Sequence, residues 1–504
     1  MPEQNLPPVL PDPAEAVRLE NEKLKLLTDV NPPDEILVVS DLHLGRGRES
    51  DTQRFFCTEN FIADQAFARW LQAMQPNEGK LLVLNGDTFD FIRVANIPQT
   101  VQEFDKWSLW LARSGVTKTS QELQQPRVIS KKEKTFGLQT DDYKCVWKLL
   151  QIFEGHQEFF SALADWIEHG GALLIAKGNH DLDLYWPLVR KAFCVFMESQ
   201  GTSRQSTNQR VFYCDSWIRI RNVYLEHGHV YDPEQQIEGG PLLPQDPSQL
   251  NLPLATFVAR YLINKLETLE PFLGSISPTA RIPWILLSSH PLAGLAFLGR
   301  SLYFISRALS RPRKRGLFWY AVFLVTLVFP LVTGLLIALA FVSTSAREFI
   351  LKALPAFLGN HPVISSVLGF GLPYIAAACK EFFEWLKSRR KRPIGEDRWA
   401  QSVYQTIQAL SFPPAHRIYA VVGHTHDQDI QRLPELNGSK VLYLNTGAWI
   451  PVWPEDRPDL AGQVLYPFAH FKSQNGEYQH SFFEWRDDRN QPAEVYILAP
   501  SPNK

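Results

Sequence analysis

The chain has 504 residues, 45% of them hydrophobic and 21% charged, with a formal net charge of −2. Such a length carries several domains and a large buried core, and the near-neutral balance argues against a broadly basic nucleic-acid binder. The five cysteines (57, 145, 194, 214 and 379) are odd in number and scattered without a CxxC pair. That excludes a disulfide framework and suits a reduced, cytosolic compartment.

Residues 1–33 read as a Pro-rich tail followed by a short charged helix in "PAEAVRLENEKLKLL". No charged-then-apolar signal pattern opens the chain, so the catalytic part is expected in the cytosol. From residue 34 onward, short apolar runs end in polar clusters: "EILVVSDLHLG", "KLLVLNGDTFD", "GALLIAKGNHD" and "VYLEHGH", then "RIYAVVGHTH" and "VLYLNTGAW" beyond residue 401. Runs of this kind suit strands covered on both faces. Helical patterns such as "NFIADQAFARWLQAM" and "EGHQEFFSALADWIEHGG" lie between them, which predicts an α/β protein with a mixed sheet. The runs "HSFFEWRDD" and "AEVYILAP" predict added antiparallel strands. Residues 94–145, with Trp107, Trp110 and a Lys-rich loop, form an excursion. Aromatic residues at helical spacing belong more often to a core than to a substrate cradle; a cap is the alternative.

Residues 233–400 depart from this pattern and are read as a helical insertion. No charged residue falls between Arg315 and Arg347, and 316–342 is long enough to cross a bilayer. A second uncharged interval, 353–379, contains three prolines, so a re-entrant or interfacial segment competes there with a span. The clusters "RPRKR" and "KSRRKR" flank the pair, as a hairpin with both ends on the cytosolic side requires. A buried helical pair in a soluble domain is the competing reading. The stretch 282–308 suits the membrane surface.

The polar clusters supply Asp41, His43, Asp87, Asn179, His180, His227, His424 and His426, each at or just beyond an expected strand. Loops at the carboxyl ends of neighbouring strands converge, so these side chains are expected to share one crevice. A mixed carboxylate, amide and imidazole set suits manganese, iron or zinc, and its size exceeds the needs of one ion. Asp41 and His43 are expected to point the same way because alternate residues of an extended chain share a face. Gly45 and Gly47 would let the chain turn closely past a metal centre.

In order, D-x-H, G-D-x-x-D, G-N-H-D, H-G-H and G-H-T-H resemble the calcineurin-like metallophosphoesterase superfamily. The resemblance covers about 35–232 and about 410–500, on both sides of the insertion. It implies a four-layer αββα sandwich with mixed sheets. One divalent ion would be held by Asp41, His43 and His426, a second by Asn179, His227 and His424, with Asp87 bridging them. A metal-activated hydroxide would then attack a phosphate or pyrophosphate ester. His180 would face the phosphate and stabilise charge or protonate the leaving oxygen, with Asp90 fixing its imidazole. His229 either reaches substrate or orients His227. Asn445 resembles a position that supports ligand geometry. Arg46 and Arg48 either meet a phosphate or are ordinary exposed arginines.

The "SDLHLG" start and the HGH motif are similar to the UDP-2,3-diacylglucosamine diphosphatase group, which implies a lipid-bearing substrate. Departures are His180 in place of arginine, His229 in place of an acid, and a much longer insertion. The leading expectation is therefore a membrane-attached hydrolase with its catalytic domain facing the cytoplasm, membrane lipids and a phosphate ester as partners, and no nucleic acid. The alternatives are an anchored phosphatase for a soluble nucleotide or phosphoprotein, and a non-catalytic membrane scaffold.

Overall fold

The computed structural model describes residues 12–49, 51–232, 235–237, 239–275, 282–292, 294, 398–413, 415–452 and 461–495. The chain divides into two compact units, Met1–Ser277 with Asp397–Lys504, and Pro278–Glu396. In the second, a helix spans Ile282–Ser289. Among the described residues no helix is long and apolar enough to cross a membrane. The candidate spans 316–342 and 353–379 lie outside the described residues.

The larger unit is a mixed α/β sandwich. Its strands are β1 (Glu35–Val39), β2 (Lys80–Asn85), β3 (Ala172–Ala176), β4 (Val211–Cys214), β5 (Trp217–Ile220), β6 (Val223–Glu226), β7 (Arg417–Val422), β8 (Gln428–Leu436), β9 (Ser439–Thr446), β10 (Pro467–Gln474), β11 (Glu477–Arg486) and β12 (Gln491–Glu494). One sheet runs β12-β11-β10-β1-β2-β3-β4, and the other β8-β9-β7-β6-β5. In the first, β1 to β4 are parallel and the three late strands antiparallel. The run "HSFFEWRDD" falls largely in β11, "AEVYILAP" overlaps β12 only at Ala493 and Glu494, and β10 is not among the expected strands.

Alternation along β1 shows how the layers stack. Ile36 and Val38 pack with Ile220, Leu225 and Val421 of the other sheet. Leu37 and Val39 face the opposite way, among the helices. Period-two apolar residues on both faces therefore join sheet to sheet on one side and sheet to helix on the other. The longer helices are α1 (Pro13–Lys25), α2 (Asp64–Ala73), α3 (Val101–Arg113), α4 (Asp142–Gly155), α5 (Gln157–Glu168), α6 (Pro187–Ser199) and α7 (Arg398–Gln408). Helix α2 illustrates the rule: Ala66, Phe67, Trp70 and Leu71 are buried on one face. Trp107 and Trp110 of α3 are buried in the same core, so the 94–145 excursion contributes packing. Helix α7 covers the outer face of the second sheet through Ala400, Val403 and Ile407.

The larger unit extends past residue 233, where the composition changes, to Ser277. A two-stranded ribbon (Leu242–Leu243 with Asp246–Leu250) and the helical stretch from Leu254 belong to the larger unit. Polar anchors hold them there: Gln249 Oε1 accepts from Thr140 N–H at 2.9 Å, and Arg260 Nη2 donates to Leu138 O at 2.6 Å.

Candidate metal centre

Strand register brings the motifs together. Val39 pairs with Leu84 and Leu84 with Ile175, so the loops carrying Asp41, Asp87 and Asn179 leave adjacent strand ends. In the other sheet, Leu225 pairs with Val421 and Val422 with Asn445, which aligns His227, His424 and His426 with Asn445. The two carboxyl edges meet where His227 Nε2 lies 3.2 Å from Asp87 Oδ2.

Among the described residues, three overlapping groups have ligand atoms close enough to hold ions: Asp41, His43 and His426; Asp87, His227 and His424; and His43, Asp87 and His180. Asp87 and His43 each occur in two of them, so the third group joins the first two. Asn179 joins the second group, its Oδ1 3.2 Å from His227 Nε2. The donor set fits a hard or borderline divalent cation. Two further features favour that fit. Asp41 Oδ1 is buried without a hydrogen-bond partner, and the Nε2 atoms of His43 and His426 face each other 3.1 Å apart, where only one can donate.

Supporting contacts fix the ligands. His227 Nδ1 lies 3.0 Å from Asn85 O, and the Asn85 side chain donates to Glu226 O at 2.9 Å. Asn445 Nδ2 donates to Gly423 O at 2.9 Å and Thr425 Oγ1 at 3.0 Å, holding the loop that carries His424 and His426. Glycines make room for ligands from other motifs. A Cβ at Gly178 would collide with the Asp87 carboxylate, and one at Gly423 with the Asp41 carboxylate and with Ser40 Oγ, at 2.5 Å.

Asp90 links two imidazoles, its Oδ2 lying 2.9 Å from His180 Nδ1 and 3.3 Å from His43 Nδ1. Burial opposes charge on His180, but Asp90 and then Asp87 outweigh it and raise the imidazole to about 9. Burial likewise works to raise Asp90, while His180 above all holds its carboxyl far below the usual range. Asp41 settles at about 2, since His227 and His426 overcome its desolvation.

Four expectations need revision. Asp41 and His43 do not share a strand face: β1 ends at Val39, and both residues have left-handed backbone, with φ 54° and 52°. Their alignment comes from pairing with the next loop, through Asp41 N–H to Gly86 O and His43 N–H to Asp87 O. Gly45 and Gly47 turn past protein rather than the cluster: a Cβ on Gly45 would stand 2.9 Å from Glu59 Oε2, and one on Gly47 would strike the Gly155 backbone. Arg46 lies over the Phe56 ring at 3.6 Å and Arg48 over Phe55 at 4.2 Å, so cation–π stacking accounts for both. His229 does not orient His227, whose Nδ1 is taken by Asn85. It stands beside the cluster, 5.4 Å from the His227 ring, with its Nδ1 buried and unpartnered. Burial, then His227, lowers it to about 3, which keeps it neutral.

Three residues at the site escaped sequence reasoning. Asp232 Oδ2 lies 3.2 Å from His424 Nε2, and Arg93 Nε donates to Asp90 at 3.0 Å. Both stand three residues beyond a quoted motif, as the acid of "HGHVYD" and the arginine of "GDTFDFIRV". Trp399, 5.6 Å from the His424 ring, carried no such signal. A scan against protein-family models matches none, and no curated protein matches the chain.

Proposed function

We propose that the protein is a binuclear metal-dependent phosphoesterase of the calcineurin-like kind, attached to a membrane and hydrolysing a phosphate or pyrophosphate ester borne by a lipid. The observation that carries the chemistry is the series of overlapping candidate ligand groups, in which His43 and Asp87 each occur twice. Asp41, His43 and His426 would hold one ion and Asn179, His227 and His424 the other, with Asp87 shared. Two divalent ions, manganese first and iron or zinc as alternatives, supply Lewis acidity and a nucleophilic water near neutral pH.

The chain's own residues do the rest. Asp90 accepts from Nδ1 of His180, which leaves Nε2 of the charged imidazole free to donate to a phosphate oxygen or to the departing ester oxygen. As water adds to phosphorus and the ester bond breaks, the leaving oxygen takes that proton. His229, neutral and buried beside the cluster, lines the same crevice. Membrane attachment rests on the uncharged interval 316–342 and its basic flanks. Those flanks match anionic headgroups, which favours a substrate at the bilayer surface.

The test is Mn²⁺-dependent phosphate release from an aryl phosphate by the purified chain, abolished in Asp87→Ala. Activity that survives chelation and Asp87→Ala would sink the metal reading. A preference for nucleotides over a detergent-solubilised lipid pyrophosphate would sink the lipid-substrate part alone.

A further inference from the structure

Asp90 is shared three ways, because besides His180 and His43 it accepts from Arg93. Arg93 is itself buried, and its Nη1 donates to a second carboxylate, Glu267, which is fully buried. Glu267 follows the helical turn Asn264–Leu266 and shortly precedes Pro278, where the second unit begins. This segment is tied to the Asp90 loop at two further points. Asn264 Nδ2 donates to Ile92 O at 2.7 Å. Gly274 N–H donates to Glu267 Oε1 at 2.8 Å, and a Cβ on Gly274 would stand 2.8 Å from Arg93 Nη2. The chain therefore closes over the guanidinium at a residue without a side chain.

A buried cation needs its partners, and the planar guanidinium fork divides between two carboxylates. Nε serves Asp90 and Nη1 serves Glu267, with Thr58 O and the Asn60 side chain as neutral acceptors beside them. With the Glu267 charge removed, Asp90 is, among the described residues, the one carboxylate still bonded to Arg93, which there competes with His180 and His43 for the same oxygen. We infer that Glu267 is a positioning residue for His180: through Arg93 it sets how Asp90 presents the imidazole to the leaving group. The segment leading into Pro278–Glu396 thereby bears on proton delivery. This rests on the phosphoesterase reading above.

The experiment compares full-length wild type with Glu267→Gln, both loaded with Mn²⁺, on p-nitrophenyl phosphate and phenyl phosphate. The first ester has a leaving group that departs unaided, and the second has one that needs a proton. The rate ratio between the esters is independent of how much protein is folded. In Glu267→Gln, KM stays within about twofold and kcat on phenyl phosphate falls about tenfold more than on p-nitrophenyl phosphate, a part of the usual general-acid contribution. Glu267→Asp restores most of the ratio, and adding Glu267→Gln to His180→Gln changes it no further. Should Glu267→Gln give no folded protein, Arg93→Lys, which keeps the charge and loses the fork, reads the same ratio. Equal losses on both esters, or an additive effect in the His180→Gln background, would overturn the inference while leaving the phosphoesterase reading intact. A wild type inactive on both esters would instead remove that reading.

Discussion

Gly178→Ala is the smallest change that should dismantle the centre, because the new methyl group points at a ligand held by a different motif. Built on the present backbone, the Cβ would lie 2.5 Å from Asp87 N and 2.9 Å from Asp87 Cγ, and closer still to Oδ1. Ordinary carbon contacts begin near 3.4 Å, so the carboxylate has to retreat by roughly half an ångström or more. Metal–ligand distances tolerate about 0.2 Å. The displacement is thus at least twice what a shared carboxylate can absorb, and the oxygen struck, Asp87 Oδ1, is already held by His180 N–H at 2.8 Å. Mn²⁺ affinity, read by calorimetry on chelator-treated protein, should fall at least about a hundredfold, at the upper end of losses seen when support for a ligand is removed. The fold should survive, since the clash is confined to the loop ends and Asp181 still accepts from residue 178 N–H at 2.6 Å. Unchanged Mn²⁺ affinity and stoichiometry in a folded Gly178→Ala protein would show that Asp87 is not a ligand in this geometry.

Two further outcomes follow from buried charge. His156 lies between Asp64, at 2.9 Å, and Glu59, at 3.4 Å. Burial opposes its charge, but the two acids raise it from 6.5 to about 10. A raised folded pKa contributes stability that is complete below pH 6.5 and is lost as pH climbs toward about 10. His156→Gln should therefore be less stable than wild type by a few kcal/mol at pH 6, with the gap closing by pH 10, in urea unfolding (~1.4 kcal/mol for each tenfold gain in proton affinity); a gap constant with pH would refute the pairing. Mn²⁺ at about a hundred times its dissociation constant should stabilise the wild type by about 2.7 kcal/mol per site. That appears as a rise in Tm, and Asp87→Asn should lose most of it; equal rises in both proteins would place the bound ion elsewhere.

Strand ends and cluster members were legible because each left a local mark, an apolar run stopped by a glycine-containing polar group. His43 and His426 are 383 positions apart and still meet, since parallel register places successive strand ends side by side whatever the chain does between them. What escaped depends on contacts with no local pattern. The destination of Arg46 is set by the neighbouring Phe56 in a turn, and Glu59 organises that turn by accepting from Gly45 N–H at 3.1 Å and Phe61 N–H at 2.8 Å. Glu267 lies in a stretch whose composition resembles the insertion but whose polar side chains pack within the larger unit. Composition changes near residue 233, while the larger compact unit runs on to Ser277.

Backbone strain gives an independent reason to read the cluster as functional. Asp41, His43, Asp87, His424 and His426 all have positive φ, between 49° and 73°. Each left-handed residue with a side chain costs on the order of 1–2 kcal/mol relative to its ordinary conformation. Some turns of this chain relieve that cost with glycine or asparagine, as Gly438 and Asn437 do in the β8–β9 hairpin, while Gln53, Gln75, Arg221 and Phe272 bear it singly. Here the strained positions hold only carboxylates and imidazoles, and they sit at the two sheet edges that face each other. Hydrogen bonds from His180 N–H to Asp87 and from His424 N–H to Asp41 hold them in place. A fold that gives up stability at five residues of one pocket, all of a type that binds cations, is organised around what that pocket binds.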